Sequence, residues 1–200
     1  MKNIVDLSIL IPTIPSRVGG YFPQLVNKLE QQIGDLPIEI IGLYDNRKRL
    51  VGEKRNELLG LAQGLFLTFV DDDDQITEDY IYEIYSAIEE NRDADCIVYQ
   101  VLCSINGAIP YLCKYGKELE YKHIPGLWTG RPSHTMIWRS ELAKSCKFPT
   151  SNFGEDTEWV AQAWPKIKKQ VSIEKVLYHY QFNNQVTQTR EDQVGNIYVK

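Results

Sequence analysis

Along the first half of the chain, short apolar runs alternate with longer stretches whose apolar residues recur at helical spacing. Residues 7–11 form an apolar run ended by Pro12 and Pro15, which predicts a buried first strand entering a loop. From Tyr21 to Ile33 the residues Phe22, Leu25, Val26, Leu29 and Ile33 fall on one helical face. Residues 38–44 return to strand composition and stop at the turn pair Asp45-Asn46. Residues 51–63 place Leu58, Leu59 and Ala62 on an apolar face and Lys54, Arg55 and Glu57 among the polar positions, with Gly64 as the expected C-cap. A strand at 65–70 and a helix at 77–90 follow, the helix starting near Gln75 or Thr77 with Tyr80, Ile81, Ile84, Tyr85 and Ile88 inward.

This alternation predicts an α/β sandwich with parallel central strands, whose ligands gather beyond the strands' carboxyl ends. Beyond Asp95 the pattern changes to a strand at 96–103, a turn at Asn106-Gly107 and a hairpin partner at 109–113. Residues 116–132 read as irregular, followed by a strand at 134–138, a short helix at 140–145, a loop at 146–154, a helix at 155–164 and a late strand at 171–180. The expected organisation is one domain over 1–182, with halves meeting near residue 95, and a polar tail over 183–200.

Composition narrows the classes. A hydrophobic fraction of 43% and a charged fraction of 24% over 200 residues are ordinary for a soluble domain with a sizeable core. The net charge of -5 argues against generic nucleic-acid binding. Cys96, Cys103, Cys113 and Cys146 lack close CxxC spacing, so reduced, partly buried thiols are expected. No signal peptide or spanning segment is apparent, and a cytoplasmic location is the expectation.

The strongest chemical signal is Asp71-Asp72-Asp73-Asp74, entered directly from the apolar strand at 65–70. Four adjacent carboxylates repel one another, and a divalent cation shared with a polyphosphate would relieve that repulsion. On an extended segment Asp71 and Asp73 point to one side and Asp72 away, with Asp74 capping the next helix. Lys54 and Arg55 could neutralise a diphosphate, and Asn56 could fix the loop carrying the acidic run through paired amide bonds. Arg47-Lys48-Arg49 reads as a basic rim. A second acidic motif, Gly154-Glu155-Asp156, opens a helix, where backbone donors keep a carboxylate anionic and able to act as a base. Asp156 is the expected base and Glu155 its support. His134 could touch acceptor or diphosphate, His179 could ligate metal, and Trp128 could stack on a sugar. Walker, GxGxxG, HExxH and GxSxG motifs are missing.

The ordered set 8–13 (Ser-Ile-Leu-Ile-Pro-Thr), 39–46, Gly52-Glu53-Lys54-Arg55-Asn56, 69–74 and Gly154-Glu155-Asp156 resembles the family 2 glycosyltransferases. The resemblance implies a GT-A fold, a three-layer α/β/α sandwich with a mostly parallel, Rossmann-like sheet. It also implies a nucleoside-diphosphate sugar as donor, a UDP-sugar first, and Mn²⁺ or Mg²⁺ as cofactor. Pro12 and Thr13 would line the nucleotide pocket, Asp45 would meet the base, and Asp71 the ribose. Asp73 and His179 would hold the metal, and Lys54, Arg55, Asp72 and His134 complete the donor-binding set. Asp156 would be the base of an inverting transfer. After Asp45 the sequence departs from the family's acidic turn, and no QxxRW pattern follows Glu155, which points to addition of one sugar rather than processive synthesis. The acceptor carries a hydroxyl and is left open between glycan, lipid-linked glycan, protein, small molecule and modified nucleic acid. A metal-dependent nucleotidyltransferase and a noncatalytic nucleotide- or sugar-binding module are the alternatives.

Overall fold

The computed structural model describes residues 4–183, and structural statements below concern those residues. The first half contains β1 (Leu7–Thr13), α1 (Tyr21–Ile33), β2 (Ile38–Tyr44), α2 (Val51–Leu61), β3 (Phe66–Phe69), β4 (Gln75–Ile76) and α3 (Tyr80–Glu90). The second contains β5 (Cys96–Ile105), β6 (Tyr111–Tyr115), β7 (Lys122–Ile124), β8 (Leu127–Gly130), β9 (Ile137–Arg139), α4 (Ser140–Lys144), α5 (Glu155–Ala163), a 3-10 turn at Trp164–Lys166 and β10 (Gln170–Phe182). Apart from Asn183, the expected polar tail lies outside the described residues.

β1 lies between β2 and β3 and is parallel to both. The chain steps from β1 outward to β2 and then back across to β3, so right-handed crossovers place α1 and α2 on opposite faces of the sheet. Accordingly α1 packs on α3, while α2 packs on α4 and α5. The result is an α/β/α sandwich. Leu7, Ile9, Leu10 and Ile11 are fully buried one after another, as a central strand covered on both faces requires. Beyond β3 the order continues β9-β5-β6-β8-β7 with mixed directions, and β10 runs parallel to β5. The sheet is therefore parallel around β1 and mixed across the second half.

Several boundaries differ from the sequence expectation for physical reasons. β1 continues through Pro12 to Thr13, because β3 stops alongside Leu10 and leaves only β2 as a neighbour, where a missing N–H is tolerated. α2 ends at Leu61, with the Ala62 N–H bonded to the Leu58 carbonyl, short of Gly64. Lys54 and Arg55, polar positions of α2, are only 2% and 4% exposed. Gln75 lies in β4, and α3 begins at Tyr80 after Asp79. The stretch read as irregular holds β7 and β8, and β7 is exposed at all three positions, so it shows no apolar alternation. All four cysteines are free and buried. No helix among the described residues is long and apolar enough to cross a membrane.

Candidate functional site

Parallel pairing of β1 with β2 and β3 brings their carboxyl ends to one edge of the sheet, where Pro12, Thr13, Asp45 and the acidic run meet. The run does not stay extended. The Asp74 N–H bonds back to the Asp71 carbonyl at 3.1 Å, and this turn sends the four carboxylates in different directions. Asp71 accepts from Arg55 Nη2 at 2.9 Å and faces His134 Nε2 at 3.4 Å. Asp72 accepts from Thr13 Oγ1 at 2.6 Å and from Arg17 Nη1 at 2.7 Å, and Asp73 accepts from Arg17 Nη2 at 2.7 Å. Asp72 thus turns toward the same guanidinium as Asp73, contrary to the alternation of an extended strand. Asp74 does not cap α3: it accepts from the Tyr178 hydroxyl at 2.8 Å and the Gln181 N–H at 3.1 Å, which ties the turn to β10.

Burial and crowding separate these acids. Burial alone would raise Asp71, but the Arg55 charge and His134 hold it well below the ordinary carboxylate range. Burial raises Asp72 despite Thr13 and Arg17. Asp73 is pushed up to about 6 by burial and by the charges of Asp71 and Asp72, against the pull of Arg17. Asp74 is raised well above its usual value by burial and by Asp73 and Asp71.

Two elements bring in the other side of the site. Asn56 on α2 makes paired bonds with Phe148, donating from Nδ2 to the carbonyl at 2.8 Å and accepting the N–H at Oδ1 at 2.9 Å. These paired bonds fix the loop leading to Glu155, not the loop of the aspartate run as expected. The Gly52 N–H bonds the Ser151 carbonyl at 3.0 Å, adding a second tie. Gly154, with φ of 73°, then precedes α5, whose first turn holds Glu155 and Asp156. Arg55 Nε donates to Glu155 Oε1 at 3.2 Å, so one buried guanidinium joins the two acidic motifs. Its carbon lies 5.2 Å from the Phe69 ring centroid, and Nη1 is buried without a hydrogen-bond partner. Burial raises Glu155, with Arg55 opposing and Asp156 adding. His134 is 7% exposed, and its Nδ1 stands 3.5 Å from Asp156 Oδ2. The imidazole therefore sits between Asp71 and Asp156.

A cleft of about 510 Å³ joins these groups. Of the expected residues, Pro12, Lys54, Arg55, Asp71, Asp72, Asp73, His134, Glu155 and Asp156 line it. Thr13 and Asp45 are not among its lining residues. Asp45 accepts from Lys54 Nζ at 2.9 Å and from the N–H groups of Arg47 and Arg49 at 3.2 and 3.0 Å, so it shapes the loop after β2 rather than facing the cleft. Arg49 also pairs with Glu57 at the rim. His179 is not brought to the cleft: its neighbours Tyr178 and Tyr180 line it, while burial and the charge of Lys28 on α1 lower the His179 pKa. Alternation along β10 is the reason. Arg17 was missed by sequence reasoning because it stands alone in a proline- and glycine-rich loop. Its signal was position, directly after the first strand and facing the acidic strand end.

Among the described residues, no group of three or more His, Cys, Asp or Glu forms a ready metal cage. The raised Asp73 carboxyl beside two further acids nevertheless fits a Mn²⁺ or Mg²⁺ that takes one or two protein carboxylates and completes its shell with substrate phosphate and water.

No curated protein matches the chain. Among solved structures, S. aureus TarS 1–349 superposes with a TM-score of 0.63 at 19% identity, covering 88% of this chain and 60% of that one. TarS 1–349 in complex with UDP gives a TM-score of 0.64 at 20% identity, covering 90% of this chain and 62% of that one. The complex with UDP-GlcNAc gives 0.58 at 18% identity, covering 90% and 59%. The chain thus spans about three-fifths of these TarS chains and shares their GT-A fold. The model of glycosyl transferase family 2 matches residues 19–145, more than half of the sequence, and the chain belongs to that family.

Proposed function

We propose that this glycosyltransferase moves one sugar from a nucleoside-diphosphate sugar, a UDP-sugar first, to an acceptor hydroxyl in a cation-dependent, inverting reaction. The observation that carries this reading is the convergence of Asp71 and Asp156 on opposite sides of His134, at 3.4 and 3.5 Å, within one cleft. UDP and UDP-GlcNAc bound to TarS in the structural neighbours support the donor class.

Asp71, kept anionic by Arg55, orients the donor. Pro12, Arg17, Lys54 and Asp72 border the pocket that takes the nucleoside diphosphate. Asp156, the half-exposed carboxylate at the start of α5, accepts the proton of the acceptor hydroxyl as that oxygen attacks the anomeric carbon. The new C–O bond forms as the bond to the diphosphate breaks, so a single displacement inverts the centre. A Mn²⁺ or Mg²⁺ held by Asp73 would supply neutralising charge to the departing diphosphate. Glu155 holds Arg55, and His134 holds Asp156 in register with Asp71.

The test is incubation with UDP-sugars, Mn²⁺ and hydroxyl acceptors, followed by product identification. A nucleoside diphosphate and a glycosylated acceptor are expected. Pyrophosphate released from a nucleoside triphosphate would indicate nucleotidyl transfer, and ligand binding without turnover would indicate a binding module.

A further inference from the structure

The cleft has two chemically different ends. One holds Arg17, Lys54 and the Asp71–Asp73 carboxylates; the other is lined by Tyr115, Trp128 and Tyr180 from the mixed part of the sheet and by Tyr121 just before β7. The aromatic end has its own internal order. Trp128 is 7% exposed and lies over Gly130, where an added Cβ would stand 2.3 Å from a ring carbon. Its ring also packs at 5.2 Å from Tyr115 and 5.9 Å from Tyr121. Trp128 is therefore a covered buttress, and the sugar-stacking role expected for it does not fit its burial. Tyr121, 55% exposed and lining the cleft, presents the aromatic face that a ligand can reach.

We propose that Tyr121 is the platform on which a neutral pyranose ring of the acceptor stacks, so that the acceptor is a carbohydrate and not an anionic polymer. This rests on the transferase reading and deepens it. The C–H bonds on one face of a pyranose carry partial positive charge, which suits the negative face of an aromatic ring. The platform shares the cleft with the proposed base and lies within reach of its charge. Burial raises the Tyr121 phenol, Arg131 opposes this, and the Asp156 charge adds to it, so both charged groups act at this ring.

The charge beside this platform disfavours a polyanion: Asp156, whose charge acts on the Tyr121 phenol, lines the cleft with Glu155 at the start of α5. Arg131, which lines the cleft and acts on the Tyr121 phenol, is already engaged: its guanidinium lies 4.1 Å from the Trp164 ring centroid and donates to the Lys117 carbonyl. A phosphate-bearing chain at the platform would meet the half-exposed Asp156 carboxylate, with Arg131 donors partly committed to the Lys117 carbonyl.

The experiment has two arms. In the first, donor-free protein is titrated with maltotriose, cellotriose, chitotriose, a single-stranded RNA oligonucleotide and polyglycerol phosphate, with tryptophan fluorescence as readout. At least one neutral saccharide is expected to bind, Tyr121→Ala to weaken it about tenfold and Tyr121→Phe to restore it. In the second, UDP binding in the presence of Mn²⁺ is measured for the same proteins and is expected to be equal in all. Binding of an anionic polymer alone, of no saccharide, or of saccharide equally by wild type and Tyr121→Ala overturns the proposal. Saccharide binding that depends on Tyr121 together with failure to bind UDP would instead overturn the donor reading and leave the platform standing.

Discussion

Arg17 Nη2 lies 2.7 Å from Asp73 Oδ2, so the carboxylate proposed to hold a divalent cation is already paired with a guanidinium. The same side chain holds Asp72 through Nη1 at 2.7 Å. Arg17 thereby stands in for part of the positive charge that the acidic turn requires, and it borders the pocket proposed for the diphosphate. Replacing it separates two effects. Arg17→Met should tighten Mn²⁺ binding to the nucleotide-free protein by on the order of tenfold, since a nearby competing charge is removed, and should weaken UDP binding. Calorimetric titration of each ligand checks both directions, and a loss of Mn²⁺ affinity would show that Arg17 does not compete for the site.

Cation binding should also follow the titration of Asp73. Its folded value of about 6 lies above the ordinary carboxylate value, so the ionised form opposes folding, and that cost accumulates as pH rises from about 4 to 6. A cation reverses the sign, because it binds the deprotonated carboxylate and competes with the proton. The Mn²⁺-induced rise in melting temperature should therefore grow as pH increases through 6 and level off above it. A stabilisation that is equal at pH 5 and pH 7.5 would remove Asp73 from the cation site.

Arg55 joins Asp71 and Glu155 inside the protein, with its side chain 5% exposed. Arg55→Met keeps much of the volume beside Phe69 and Phe148 but leaves the buried Glu155 and the partly buried Asp71 without their cation. The loss should be about 3 kcal/mol or more by denaturant unfolding. Asp71 should then titrate at higher pH, since its depressed value depends on Arg55.

How much of this was legible in the sequence depends on what each residue faces. α1 and β2 span the residues that the sequence marked, α1 because Leu25, Leu29 and Ile33 are buried on one helical face and β2 because a short apolar run ends at a turn pair. β7 escaped notice because all of it is exposed. In the site, Asp71, Asp73 and Glu155-Asp156 could be read from their places at a strand end and a helix start. The orientation of Asp72 could not, because it depends on a turn that bends the run toward Arg17. Lys54 and Arg55 could be read as candidate diphosphate cations, but their burial could not, because it comes from the packing of α2 on β1 and against α5. His179 was expected at the metal from its chemistry and from the family resemblance, and strand alternation puts it on the face away from Tyr178 and Tyr180, which line the cleft.

Gly52 tests the tie between α2 and the loop before α5. A Cβ there would stand 1.8 Å from the Pro149 carbonyl oxygen, which is backbone and cannot swing aside. Gly52→Ala should cost about 1–3 kcal/mol and reduce turnover by shifting the loop that aims Glu155 and Asp156. Gly60, in the same helix with nothing within 4 Å of an added Cβ, is the control. Gly60→Ala should leave turnover unchanged and stabilise by about 0.5 kcal/mol. Equal melting temperatures for the two variants would show that the loop is not held against α2 in this way.

The most direct measurement of the central claim compares wild type with Asp156→Asn in Mn²⁺-dependent transfer from a UDP-sugar, alongside UDP binding by both proteins. The account predicts UDP and an anomerically inverted product from wild type, transfer lowered by on the order of 10²- to 10⁴-fold in Asp156→Asn, and undiminished UDP binding. Equal transfer rates for the two proteins at subsaturating acceptor, or a product with retained configuration, would contradict it.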